Sequence, residues 1–189
     1  MRTFSEIVDE HQAVVNASLA PFEKNLAPAA ELCVDALRGG GKILVCGNGG
    51  SAADAQHFAA ELVGRFERER NPWPAVALST DTSALTAIAN DYGFKEVFVR
   101  QVHALGNKGD VLLALSTSGN SENVLAAARA AANSGMKLIG LTGEGGGSLG
   151  KLSDIVFAAA STRTARIQEV HGICLHALAE AIETALESL

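Results

Sequence analysis

Five short apolar runs, each followed by a loop of small or polar residues, limit what this chain can fold into more than any other feature. They are Lys42–Cys46, Ala75–Ser79, Asp110–Leu115, Lys137–Leu141 and Asp154–Ala158. Their apolar residues are continuous rather than alternating, the pattern of strands buried on both faces. Helical spacing fills the intervals, from Ala52 to about Phe66, near Ser83–Ala89 and on to Asn133. Strands alternating with helices imply right-handed crossovers and a parallel sheet covered on both sides. The expected fold is therefore α/β, a three-layer sandwich around a five-stranded parallel sheet. Ligands of such sheets bind beyond the carboxyl ends of the strands, so the loops after strands hold the candidate site.

The flanks read differently. In the first forty residues, Ile7, Val8, Val14, Val15 and Leu19 mark one helical face and Leu32, Val34 and Leu37 another. We read N-terminal helices over 1–40, closed by Gly39–Gly41, then an α/β core over 41–189, the whole forming one domain over 1–189. A long C-terminal helix, Arg166 to Glu187, is apolar on several sides, so it is buried in its own domain or in a subunit interface.

Composition narrows the function. A hydrophobic content of 48% supports a large core and excludes general disorder. Fifteen Lys+Arg against 21 Asp+Glu, a net charge of −6, argue against a nucleic-acid partner. No apolar run is long enough to span a membrane. Three scattered cysteines without a CxxC pair suggest a reducing compartment. The first ten residues carry acids where a signal peptide needs an apolar stretch. A cytoplasmic location is expected.

Two loops could hold an anion without Lys or Arg. Ser116-Thr117-Ser118-Gly119-Asn120-Ser121 offers four hydroxyls at a strand-to-helix junction, where free N–H groups favour negative charge. A phosphate monoester suits it. A plain capping turn uses the same atoms, but the second glycine-rich loop, Gly47–Ser51, favours a ligand. Neither loop has Walker or GxGxxG spacing, so no nucleotide cofactor is expected. On the helix that follows Gly47–Ser51, His57 and Glu61 stand at i,i+4 with Asp54 and Arg65 on the same stripe. This is either a solvated polar face or a metal-binding or acid–base pair. The last helix carries Gln168, His171 and His176. His176, set among Ile173, Cys174, Leu175 and Leu178, reads as a core histidine or a ligand, and His171 reads as a face neighbour of Gln168. His11 and His103 show no partner. Asn90-Asp91 precedes Tyr92-Gly93-Phe94, a turn signal.

Taken together, Cys-Gly-Asn-Gly-Gly-Ser at 46–51 with His57 and Glu61, Ala-Asn-Asp-Tyr-Gly-Phe at 89–94, Ser-Thr-Ser-Gly-Asn-Ser at 116–121 and Arg-Ile-Gln-Glu-Val-His at 166–171 resemble the phosphoheptose isomerases. These are sugar-isomerase (SIS) domain proteins of flavodoxin-like architecture, and the resemblance covers essentially the whole chain. It implies a homotetramer with interfacial active sites. It also implies conversion of D-sedoheptulose 7-phosphate to D-glycero-D-manno-heptose 7-phosphate, toward bacterial heptose nucleotides. By the resemblance, Ser116, Thr117, Ser118 and Ser121 cradle the phosphate. Asn48, Gly49, Gly50 and Ser51 contact the substrate, as do Asn90 and Asp91. His57, Glu61, Gln168 and His176 hold zinc, Glu61 and Gln168 also meet the sugar, and Glu61 and His176 form the catalytic pair. One difficulty attaches to this set. Gln168 and His176 lie about 12 Å apart along a straight helix, so sharing one ion requires leaning side chains, a distorted helix or a neighbouring chain.

Two other functions compete. Relatives of the same fold bind the replication initiator DnaA without catalysis, but they lack the full catalytic set, whereas Glu61 and His176 are both present here. An arabinose 5-phosphate isomerase or an amino-sugar phosphate enzyme would use the same loops on another substrate.

Overall fold

The computed structural model describes residues 1–187. In chain order the elements are α1 (Phe4–Arg38), β1 (Ile43–Cys46), α2 (Gly50–Val63), β2 (Ala75–Ala77), α3 (Thr82–Tyr92), a 3-10 turn (Phe94–Glu96), α4 (Val99–Leu105), β3 (Val111–Ser116), α5 (Glu122–Asn133), β4 (Lys137–Thr142), α6 (Gly147–Leu152), β5 (Ile155–Ala158) and α7 (Thr164–Glu187). The five strands form one parallel sheet in the order β2-β1-β3-β4-β5. This is the expected three-layer sandwich.

The register shows why these runs are continuous. Leu44, Leu112 and Leu138 are aligned across β1, β3 and β4, and so are their neighbours Val45, Leu113 and Ile139. Successive side chains point to opposite faces of a sheet. The first trio packs with Val102, Val124 and Ala127 of α4 and α5. The second packs with Cys33, Phe58 and Leu178 of α1, α2 and α7. All four internal residues of β3 are fully buried. Each leucine so placed contributes about 1.5–3 kcal/mol.

The N-terminal region departs from the sequence reading. It is one helix of 35 residues, not two, opened by a Thr3–Glu6 capping box and continuous through Pro21 and Pro28. A proline removes one backbone hydrogen bond and costs about 3 kcal/mol inside a helix. Both prolines lie on the exposed side, where water satisfies the freed carbonyls. The opposite side buries Ala29, Ala30, Cys33, Val34 and Ala36, and packing along α7 holds the helix through both sites.

Smaller differences follow from glycine. The segment after β4, read as a loop, contains the short helix α6. A Cβ on Gly119 would lie 2.4 Å from the Gly146 carbonyl, and one on Gly147 would lie 2.8 Å from Gly119. Glycines at these places let the loops after β3 and β4 run in contact. No helix among the described residues is long and apolar enough to cross a membrane.

Candidate active site

The sheet changes direction of winding between β1 and β3. Beyond their carboxyl ends a cleft of about 280 Å³ is lined by Asn48, Gly49, Gly50 and Ser51 after β1, Leu115, Ser116, Thr117 and Ser121 around the end of β3, and Thr164 and Gln168 of α7. This is the crevice where open α/β sheets bind ligands. The amino ends of α2 and α5 both meet it, each with unpaired N–H groups.

Local geometry shapes the two loops. Gly49 caps α2 with φ 55° and ψ −122°, a conformation that favours glycine. A Cβ on Gly50 would stand 2.3 Å from Gln168 Nε2, so α7 reaches the cleft only because residue 50 has no side chain. Asn48 and Asn123 exchange two amide hydrogen bonds, at 2.9 and 2.8 Å. Those bonds fix the first loop to α5. In the second loop the Ser116 and Ser121 hydroxyls lie 2.9 Å apart. Ser121 begins α5 without a side-chain capping bond, so beyond its pairing with Ser116 its hydroxyl can also meet a ligand. No Lys or Arg lines the cleft among the described residues, leaving N–H groups and hydroxyls as the anion donors.

A second feature stands two turns further along α2, on the face that meets α7. His57 Nε2 lies 2.9 Å from Glu61 Oε1 and 3.3 Å from His176 Nε2. One donor atom from each of the three residues lies within 4.8 Å of the others. Two ligand atoms about 2.0–2.1 Å from a tetrahedral zinc are about 3.3 Å apart. The facing imidazoles have this separation, and two imidazoles with a carboxylate are a suitable donor set for zinc. The Phe66 ring lies 5.7 Å from His176, tilted by 45°, and borders the cluster.

Several residues stand where the sequence reading did not put them. His176 is exposed, so the core-histidine reading fails for it. That role belongs to His171, fully buried with Nε2 2.9 Å from the Thr142 carbonyl. His11 has a partner, Glu169, at 2.8 Å. Gln168 packs against Gly50 at the cleft, about two turns of α7 before His176. Ser118 is exposed and its Oγ accepts from the Asn120 N–H at 3.1 Å, while Ser116, Thr117 and Ser121 line the cleft. Asn90 and Asp91 are exposed near the end of α3, joined at 2.8 Å, and do not line it. Asp54 sits half-buried with an unpartnered Oδ2, and burial raises its pKa. Thr164 and Asn123 were missed. Thr164 comes from the start of α7, remote in sequence, and Asn123 is one polar residue among many at a helix start.

The cysteines are not nucleophiles. Cys33, Cys46 and Cys174 are all buried and unpaired. Burial pushes the thiols of Cys33 and Cys46 up to about 12 and raises that of Cys174 as well, so none is a thiolate near neutral pH.

Comparison with known proteins agrees with this geometry. Residues 7–143 match the SIS domain family. The chain is 54% identical to a phosphoheptose isomerase of Helicobacter pylori over 92% of this chain and 90% of that protein. It is 53% identical to one from Azoarcus sp. over 98% of this chain and 93% of that protein. Among solved structures, the phosphoheptose isomerase GmhA from Neisseria gonorrhoeae superposes with a TM-score of 0.84 at 49% identity, covering 96% of this chain and 100% of that one. The match spans both loops, the His57–Glu61 helix and α7, and the chain belongs to the phosphoheptose isomerase family of SIS-domain proteins.

Proposed function

We propose that the protein interconverts D-sedoheptulose 7-phosphate and D-glycero-D-manno-heptose 7-phosphate through an enediol, supplying heptose for bacterial surface glycans. The observation that carries this reading is the adjacency of a cation-free phosphate cleft and the His57–Glu61–His176 cluster on the same two helices, α2 and α7. Ser116, Thr117 and Ser121 cradle the phosphate, with Ser118, whose Oγ lies 3.4 Å from Ser116 Oγ, at the rim, and Asn48, Gly49, Gly50, Ser51 and Gln168 contact the sugar. Binding energy from the phosphate, remote from the reacting carbons, positions them.

The proton balance is simple. Glu61 takes the proton from C1 of the ketose while His176 gives one to the C2 carbonyl oxygen, forming the enediol. The Glu61 carboxyl, after exchange of its proton with water, then protonates C2, and His176 recovers a proton from the C1 hydroxyl, leaving the aldose and the original enzyme. His57, Glu61 and His176 would hold a divalent ion such as zinc, which when bound would polarise the substrate oxygens and assist the proton transfers. The test is NMR of the product formed from sedoheptulose 7-phosphate, with zinc analysis of the same sample. Turnover of arabinose 5-phosphate in preference to the seven-carbon sugar would overturn the assignment.

Phosphate binding has its own test. Losing one hydrogen bond to a charged group costs about 1.5–3 kcal/mol, so Ser121→Ala should raise KM about tenfold or more. The Ser121 side chain caps no helix and holds only the Ser116 hydroxyl, so the melting temperature should fall little beside the loss of binding. An unchanged KM would leave the loop a turn and nothing more.

The assembly we propose is a cytoplasmic homotetramer. An apolar groove between α1 and α7, lined by Val15, Leu19, Phe22 and Ile173, supports it, with Leu19 56% and Ile173 49% exposed. Helix α3 buries no residue in its own chain. A neighbouring subunit covering it would bring Asn90 and Asp91 to a sugar. Light scattering should report about four chain masses, since closed symmetric assemblies are the rule. A stable monomer at micromolar concentration would contradict it.

A further inference from the structure

Glu183 is a carboxylate buried near the end of α7, 2% exposed. It accepts hydrogen bonds from the backbone N–H groups of Phe66, Glu67 and Arg68 at 3.3, 3.1 and 3.1 Å, and from Arg70 Nε at 3.3 Å. Burial alone would raise its pKa, but the three N–H bonds and the Arg70 charge together hold it below the usual carboxylate range. Arg70 is as deeply set. Its guanidinium donates to the carbonyls of Glu61 at 2.6 Å and Leu62 at 2.8 Å, and lies 3.6 Å from the Trp73 ring centre.

These contacts have a direction. The Glu61 and Leu62 carbonyls belong to the last turn of α2, whose carbonyls have no partner within the helix. Arg70 closes that turn, and Glu183 ties both Arg70 and the loop after the turn to α7. Residues seven apart on a helix share a face, so Glu183 lies two turns beyond His176 on one stripe. The stripe therefore meets α2 twice, once through His176 at His57 and Glu61 and once through Glu183 at the loop that caps Glu61. Phe66, whose N–H is held by Glu183, also packs on the His176 ring.

We propose that Glu183 and Arg70 are positioning residues that set the register of α2 against α7, and so the separation of the Glu61 carboxylate and the His176 imidazole. The proposal rests on the isomerase reading of those two residues. A pair that served stability alone would leave the chemistry of the folded protein untouched, and a second buried ion pair provides that comparison. Lys42 Nζ meets the buried Asp110 carboxylate at 2.6 Å, at the amino ends of β1 and β3, away from the site.

The experiment compares wild type, Glu183→Gln, Arg70→Lys and Asp110→Asn at a temperature where each is folded by circular dichroism. Glu183→Gln keeps the shape but loses the charge. Arg70→Lys keeps the charge but loses the fork that spans two carbonyls. Turnover of sedoheptulose 7-phosphate should fall at least tenfold in both, with KM within about twofold of wild type because the phosphate cleft is untouched. Affinity for zinc alone, measured by competition with a chelating dye, should fall at least tenfold, the scale on which lost supporting contacts act at a metal site. Asp110→Asn should lower the melting temperature and change neither quantity. Should Glu183→Gln fail to fold, Arg70→Lys carries the test. Wild-type kcat and zinc affinity in the folded variants, or equal losses in Asp110→Asn, would overturn the proposal. If wild type does not isomerise the sugar, the isomerase reading fails and the zinc comparison still decides the positioning role. Wild type that neither turns over nor binds zinc removes the site to be positioned, and the proposal with it.

Discussion

Replacing Glu61 with Gln should lower turnover at least 100-fold, the scale on which a lost general base acts. The substitution keeps the side chain's shape, and its neighbour His57, 2.9 Å away, still has an oxygen to meet. What disappears is the basic carboxylate. His176→Asn should cost a similar factor, because it removes the ring that faces His57 at 3.3 Å. Neither change touches the core. Glu61 is only partly buried and His176 is exposed, so melting temperatures should shift little. KM should also stay near wild type, since the phosphate cleft is lined by other residues. Deuterium provides the mechanistic readout. In deuterated water the wild type should place deuterium at C2 of the aldose, whereas Glu61→Gln should give no labelled product above background. Turnover near wild type in both variants would reduce the cluster to a polar helix face and remove the enediol mechanism.

Acid should destabilise the fold through a different histidine. Burial lowers the pKa of His171 to about 4, although its hydrogen bond with the Thr142 carbonyl opposes the shift. In the unfolded chain the ring titrates near its ordinary value of about 6.5. Above that pH neither state binds the proton and His171 adds no pH dependence. Between about 6.5 and 4 the unfolded state takes up a proton that the folded state refuses, so stability falls as pH falls. The full loss is about 3 kcal/mol, at about 1.4 kcal/mol per pKa unit. Other groups contribute in acid, Glu183 among them, so the informative quantity is a difference. Urea unfolding of wild type and His171→Asn should show a slope of stability against pH steeper by up to one proton in the wild type over that window. Parallel slopes would mean that His171 is protonated in the fold, contrary to its burial.

Much of this was legible in the residues. Continuous apolar runs such as Val111–Leu115 read as strands of a parallel sheet, because both faces of such a sheet are covered. The glycine and serine loops after β1 and β3 announced the crevice, since a short polar turn between such a strand and a helix leaves N–H groups open to a ligand. His57 and Glu61 were paired by spacing alone, one helical turn apart.

The tertiary structure decided what spacing leaves open. His171 and His176 are five residues apart, which is about 140° around a helix, so they face different neighbours. Helix α7 is apolar on both sides, and its own pattern does not say which histidine goes inward. The sheet meets the first, at Thr142, and α2 meets the second, at His57. The long α1 is a similar case. Two hydrophobic faces read as two helices, but α7 lies along both and the packing outweighs the backbone bonds lost at Pro21 and Pro28. Gln168 reached the cleft because Gly50 has no side chain to block it. In each case a local pattern offered several orientations of comparable energy, and burial against an element remote in sequence selected one.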